Sequence, residues 1–187
     1  MGKRSSFERI AQDKYMTTDP TPVRRLQPHL PSGIKFVEPC AGNGDLIKSM
    51  QWHGHECVYA CDIKPGRRWI ERRDARDLDK RWRRSAHAHM FVTNPPWTRS
   101  IMHELMVHLP SLLDTWMLLD ADWAHTSQAV PYLDRCSHMV AVGRVRWFRN
   151  LGGLENSAWF FFPHRPHTGG PRFTGLVDGK AVTTSVV

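Results

Sequence analysis

Ile34-Lys-Phe-Val-Glu-Pro-Cys-Ala-Gly-Asn-Gly-Asp-Leu46 decides how the rest of the chain is read. Ile34 to Glu38 has the make-up of a short strand and Gly42-Asn-Gly44 interrupts it. Leu46, Ile47 and Met50 then recur at helical spacing through Asp45 to Trp52. Strand, glycine turn and helix in this order open an α/β unit. The same alternation continues outward. Cys57-Val-Tyr-Ala-Cys61 reads as a strand ending at Asp62, and Met90-Phe-Val-Thr93 as a strand stopped by Pro95-Pro96. A helix is expected over Ile101 to Leu109, a strand over Thr115 to Asp120 and a helix over His125 to Leu133. Two last strands, Met139 to Phe148 and Ala158 to Phe162, are joined through Arg149-Asn-Leu-Gly-Gly153 and are expected to be antiparallel. The pattern predicts a mostly parallel sheet covered on both faces.

The flanks look different. The first thirty-odd residues are polar and rich in proline around Asp19-Pro-Thr-Pro22, with extended backbone expected before each proline. Pro163 to Val187 has four prolines and glycines in its first eight positions and little periodicity. The division expected is therefore a domain over 1–163 and a loop-rich tail over 164–187. With 187 residues, 41% of them apolar, a single domain can bury roughly 70% of its unfolded surface and needs no disulfide or metal. No apolar run reaches the length of about 18 residues that a membrane span requires. The N-terminus has charge without an apolar core behind it, so a cytoplasmic location in a bacterium or a phage-infected host, with no membrane partner, is the expectation. Cys40, Cys57, Cys61 and Cys136 form no Cys-x-x-Cys pair and are expected as reduced thiols. His53, His55, Cys57 and Cys61 lie close together in sequence without the spacing of a zinc site, so no metal is expected.

The net charge is +8, and its placement is informative. Lys64 to Arg84 holds ten basic against four acidic residues, which concentrates six of the eight net charges in 21 positions. A polyanion is the natural partner of such a run. Arg67, Arg68, Arg72, Lys80, Arg81, Arg83, Arg84 and, beyond the run, Arg99 are the candidate phosphate contacts, and Trp69 and Trp82 could stack on bases. The alternative is a solvated, internally paired face with the tryptophans turned inward.

In an open parallel sheet, ligands bind beyond the carboxyl ends of the strands, and three strand ends here carry unusual residues. The first is Glu38-Pro-Cys-Ala-Gly-Asn-Gly44. It lacks the third glycine of a dinucleotide loop and the Gly-Lys-Ser/Thr of a phosphate loop, and an acid precedes it. A pyrophosphate would be repelled by Glu38, whereas a ligand with an amino group and a nucleoside, such as S-adenosylmethionine, would not. The second is Asp62-Ile63, where the acid can accept from both ribose hydroxyls; a further acid, Asp74 or Asp77, is within reach of an adenine amine. The third is Asn94-Pro-Pro-Trp97. Its prolines fix the backbone and remove two N–H donors, so the Asn94 oxygen and the Pro95 carbonyl can accept both hydrogens of one planar amine. Trp97 offers a face for the ring.

In these motifs the chain resembles the S-adenosylmethionine-dependent N6-adenine DNA methyltransferases, and in its size the small phage-encoded members without a target-recognition domain. The resemblance runs through Tyr15-Met-Thr-Thr-Asp-Pro-Thr-Pro22, Glu38 to Leu46, Asp62 and Asn94 to Trp97, over roughly residues 13 to 162. It implies a Rossmann-like methyltransferase sheet of seven strands with an antiparallel C-terminal hairpin. It also implies a catalytic group of Asn94, Pro95, Pro96 and Trp97. Cofactor contacts would come from Tyr15, Thr17, Glu38, Pro39, Cys40, Ala41, Gly42, Gly44, Asp62, Ile63, Asp74 or Asp77, and Asn94. The implied reaction is methylation of the adenine N6 amine in DNA with low or short sequence preference. RNA amines, protein glutamine and a non-catalytic nucleic-acid-binding subunit are the alternatives, and oligomeric state is left open.

Overall fold

Phe36 and Val37 are both fully buried on a strand of four residues, β1 (Lys35–Glu38), and they point to opposite faces of a sheet. The computed structural model describes residues 16–80, 87–147, 154–165, 167, 169–177 and 180–184. The same two-sided burial recurs along β4 (Met90–Thr93) and β5 (Asp114–Asp120). Trp116 and Leu118 join Phe36 and Val92 in one core, while Met117 and Leu119 join Val37 and Phe91 in the other. Strands buried on both faces read as continuous apolar runs because helices cover each side. On the first face lie α1 (Thr21–Leu26) and α2 (Asp45–Trp52), contributing Val23, Leu26, Leu46, Ile47 and Met50. On the second lies α3 (Arg99–His108) with Met102, Leu105 and Met106.

The remaining strands are β2 (Glu56–Asp62), β3 (Glu71–Arg72), β6 (His138–Arg146), β7 (Leu154–Phe162), β8 (Arg172–Val177) and β9 (Lys180–Thr184). They form one sheet in the order β3-β2-β1-β4-β5-β7-β6-β8-β9. Strands β1 to β5 run parallel, β7 pairs antiparallel with both β5 and β6, β8 lies parallel to β6, and β9 closes antiparallel on β8. The chain builds one half from β1 towards β3, then crosses to β4 and β5, so strand order reverses between β1 and β4.

Three expectations are corrected. The sheet has nine strands and not seven. The two additional ones come from the C-terminal segment expected to be loop-rich, where Arg172 to Thr174 pair with His138 to Val140. The helix expected over His125 to Leu133 is instead two 3-10 turns, Ala121–His125 and Ser127–Ala129, followed by the short α4 (Val130–Leu133). Thr126 is extended (φ −94°, ψ 150°), and Pro131, which has no N–H to bond backward, sits at the start of α4. The proline-rich lead-in is not extended throughout: Pro22 opens α1, because a missing N–H costs nothing in a first helical turn. Trp159 Nε1 donates to the Pro22 carbonyl at 2.8 Å and ties this segment to β7. Trp147 and Trp159 to Phe162 are mostly core: Trp159 and Phe160 are fully buried. Phe148 and the connection at 149–153 lie outside the described residues.

Candidate active site

The crevice at the order reversal is where an open sheet binds ligands. A cleft of about 210 Å³ lies at the carboxyl ends of these strands. Pro39, Cys40 and Gly42 follow β1, Asp62, Ile63 and Lys64 end or follow β2, and Asn94, Pro96 and Thr98 follow β4. Asp74, Ala75 and Arg76 close one side, Ile101 and Leu105 of α3 form an apolar wall, and Met16 reaches in from the lead-in.

The glycine loop is held by its own backbone and by Asp62. Ala41 N–H donates to the Cys61 carbonyl at 2.9 Å, Gly44 N–H to the Ala41 carbonyl at 2.7 Å, and Gly66 N–H to the Gly42 carbonyl at 2.8 Å. Gly42 and Gly44 have φ of 51° and 78°, a region that favours glycine. A Cβ on Gly44 would stand 2.7 Å from the Trp69 ring, so the loop and the β2–β3 connection pack where only hydrogen fits. Asp62 accepts from Gly42 N–H through Oδ2 (2.8 Å) and from Lys64 N–H through Oδ1 (2.7 Å). Each carboxylate oxygen has a second lone pair for a ligand hydroxyl.

Glu38 lies behind this loop, 2% exposed, and its Oε2 has no hydrogen-bond partner among the described residues. Burial first, then the charges of Asp62 and Asp45, raise its pKa well above the ordinary carboxylate value. A buried acid in this setting gains from a cation brought close to it. Asp74 is in the opposite state. Arg76 donates to it from Nε (3.0 and 3.2 Å) and NH2 (2.6 Å), while Arg76 NH1 reaches Glu104 at 2.8 Å. Hydrogen bonding from Arg76 is the main reason that the Asp74 pKa is lowered.

Of the two acids expected near an adenine amine, Asp74 lines the cleft, whereas Asp77 is exposed and outside its lining. Thr17 is 5% exposed and accepts from Asn94 Nδ2 at 3.1 Å. Pro95 is buried and, like Ala41, Gly44, Glu38 and Thr17, supports the cleft without lining it. Trp97 is half-buried; its Nε1 donates to the Leu118 carbonyl at 3.2 Å, and Trp147 packs edge-on at 5.2 Å. The indole is thus packed against the cores beside β5, and Trp97, unlike Asn94 and Pro96, is not among the residues that line the cleft. Tyr15 lies outside the described residues, as do Arg81, Trp82, Arg83 and Arg84. Met16, Lys64, Ala75, Arg76, Thr98, Ile101 and Leu105 were not among the expected site residues. Only the i, i+4 pair Ile101 and Leu105 had a visible pattern, and that pattern equally marks core.

The basic run divides. Arg73 pairs with Glu71 (3.0 Å), and Arg76 with Asp74 and Glu104, as a paired face would. Lys64, Arg67, Arg68 and Lys80 are exposed and form no ion pair among the described residues, and Trp69 is 57% exposed. Arg72 donates to the Ile63 carbonyl, and Arg99 is 3.9 Å from Asp120. His55 accepts from Ile34 N–H and bonds Gln27, while Cys57 and Cys61 donate to backbone carbonyls. Among the described residues no group of three or more His, Cys, Asp or Glu is placed to hold a metal, and no helix is long and apolar enough to cross a membrane.

No protein-family model and no curated protein matches the chain. Solved structures do. A Streptococcus thermophilus type I restriction-modification methyltransferase subunit aligns at TM-score 0.53 and 10% identity over 91% of this chain, which spans 50% of that subunit. A Listeria monocytogenes protein described as a class I S-adenosylmethionine-dependent methyltransferase aligns at 0.53 and 8% identity over 88% of this chain and 67% of that one. A Lactococcus lactis protein described as a hemolysin aligns at 0.54 and 10% identity over 79% and 88%. With the observed strand order, these similarities give the chain the Rossmann-like α/β fold of class I methyltransferases, extended by one C-terminal hairpin.

Proposed function

We propose that the chain transfers a methyl group from S-adenosylmethionine to the exocyclic N6 amine of adenine in DNA, with low or short sequence preference. The observation that carries this reading is the meeting of Gly42, Asp62, Asp74 and Asn94 in one cleft at the order reversal between β1 and β4. The residues fit the cofactor on its own chemistry. Glu38, behind the lining, is a buried acid whose Oε2 has no hydrogen-bond partner among the described residues, suited to an amino group. Asp62 has lone pairs for ribose hydroxyls, Asp74 and the apolar Ile63, Ala75, Ile101 and Leu105 suit an adenine, and Gly42 admits close approach. When bound, S-adenosylmethionine supplies an electrophilic methyl on a sulfonium.

The chain's own residues act on the amine. An adenine amine is a weak nucleophile because its lone pair is delocalised into the ring. Asn94 Oδ1 and the Pro95 carbonyl accept its two hydrogens, favour a pyramidal nitrogen and stabilise the positive charge that grows there. Pro95 and Pro96 hold these acceptors rigidly, and Trp97, fixed by Leu118 and Trp147, backs the segment that presents them to a flipped base. Lys64, Arg67 and Arg68 are exposed near the same end of the sheet and suit phosphates.

The test is transfer of labelled methyl to unmethylated duplex DNA, followed by digestion to nucleosides. N6-methyladenine is the expected product, and Asn94→Ala should lower its formation by about 100-fold or more. Label in RNA or protein with none in DNA would leave methyl transfer standing and reject the DNA substrate. Absence of cofactor binding would point to the non-catalytic subunit.

A further inference from the structure

We propose that Arg144 and Arg146 form a second phosphate-binding flank that grips the backbone of the DNA substrate across the cleft from Lys64, Arg67 and Arg68. The proposal rests on the DNA reading above and extends it to a part of the chain that the basic run does not reach. β7 is antiparallel to both β5 and β6, so β6 runs in the direction of β5 and ends at the cleft end of the sheet. Asp120, the last residue of β5, and Gly143 of β6 both pair with Ser157. Counted from Gly143, Arg144 and Arg146 stand one and three residues past the end of β5, so the β6–β7 pair projects beyond its neighbour there. In strand order β2 lies two places to one side of β4 and β6 three places to the other. The Asn94 segment is therefore placed between the two basic groups.

A bulge decides which way these side chains point. Plain alternation would turn Val142, Arg144 and Arg146 to one face. The register of β6 on β7 shifts between Ala141 and Gly143, where Gly143 has a φ of 87°, and a bulge re-aims the side chains that follow it. Val142, Val145 and Trp147 all enter the core as a result, and Arg144 and Arg146 are both exposed. Their Cα atoms are about 7 Å apart on one face of the strand, and a guanidinium offers a planar fork that matches a phosphate. Trp147, next to Arg146, packs edge-on against Trp97 at 5.2 Å, which couples this strand end to the Asn94-Pro-Pro-Trp97 segment. Neither arginine forms an ion pair among the described residues. Glu155, opposite Val145, stands near Asp120 and Asp122 and feels the charge of Arg144, which is offset there in part.

The experiment measures the affinity of the full chain for duplex DNA over a series of salt concentrations. Replacing Arg144 and Arg146 together by serine should reduce the slope of log K against log salt by about 2, one phosphate for each arginine. Replacing both by lysine keeps the charge and should leave the slope near that of the wild type, which separates contact with phosphate from damage to the fold. Adding serine at Arg67 and Arg68 should bring the loss to about 4, as two flanks on one duplex require. In steady-state transfer the double serine variant should show a KM for DNA raised about 10-fold, with kcat and cofactor Kd close to the wild-type values. An unchanged slope in the double serine variant would overturn the proposal, and so would an equal loss in the double lysine variant or a loss seen with RNA and not with DNA. If the wild type methylates DNA while the slope stays unchanged, this flank fails and the substrate reading stands. If the wild type binds no DNA, both fail.

Discussion

Glu38 is a residue whose ionisation the fold resists. Its carboxyl is buried beside Asp62 and Asp45, and its pKa is raised in the folded chain. Above the ordinary value of 4.5 the folded state therefore holds a proton that the unfolded state has lost, so this group makes stability fall as pH rises through that window. Glu38→Gln removes the penalty. The expected result is a higher melting temperature for the cofactor-free protein near neutral pH, together with weaker cofactor binding, read by thermal denaturation and calorimetry. Wild-type cofactor affinity should itself rise with pH as the carboxyl ionises. At this scale much of the site was legible: Glu38, Asp62 and Asn94 stood at strand ends, where the residue types alone restrict the chemistry. Asp74 against Asp77 was not legible, because a two-residue β3 has no periodicity from which to count. Arg76 was equally hidden, since its part comes from a pairing with Glu104 on a distant helix.

Among elements, the strands of the central sheet were readable because burial on both faces leaves unbroken apolar runs in β4, β5 and β7. The C-terminal hairpin was not. β8 contains Gly175, begins at Arg172 and is followed closely by β9, and it gains its place from pairing with β6 rather than from apolar content. This hairpin covers the β6 edge, and His138 Nε2 bonds Thr174 Oγ1 at 2.9 Å across the junction. Ending the chain at Arg165 should therefore expose the β6 edge and lower the melting temperature by about 5 °C or more, followed by circular dichroism. An unchanged melting curve would mean that the segment behaves as the loop its composition suggested. Helix α4 makes the same point in reverse: of the nine residues expected as one helix only Val130–Leu133 are α-helical, since Pro131 has no N–H to bond back into the preceding turn.

For the whole molecule, the +8 charge acts through its distribution. The β2–β3 connection places Lys64, Arg67 and Arg68 near the cleft without carboxylate partners among the described residues, whereas Arg73 and Arg76 are already paired. Affinity for duplex DNA should fall steeply with salt, and replacing Arg67 and Arg68 together by serine should reduce the slope of log K against log salt by about 2. The same double substitution of Arg73 and Arg76 should change the slope little. Neither outcome depends on base sequence, which makes the measurement separable from catalysis. The contact between Thr17 and Asn94 has a consequence in time. Across the 77 residues that separate them, a ribosome moving at roughly 5–20 residues per second takes about 4–15 s. The two ends of the crevice are thus born apart, and the first-made part must wait, unclasped, for the strand that gives it a place to rest.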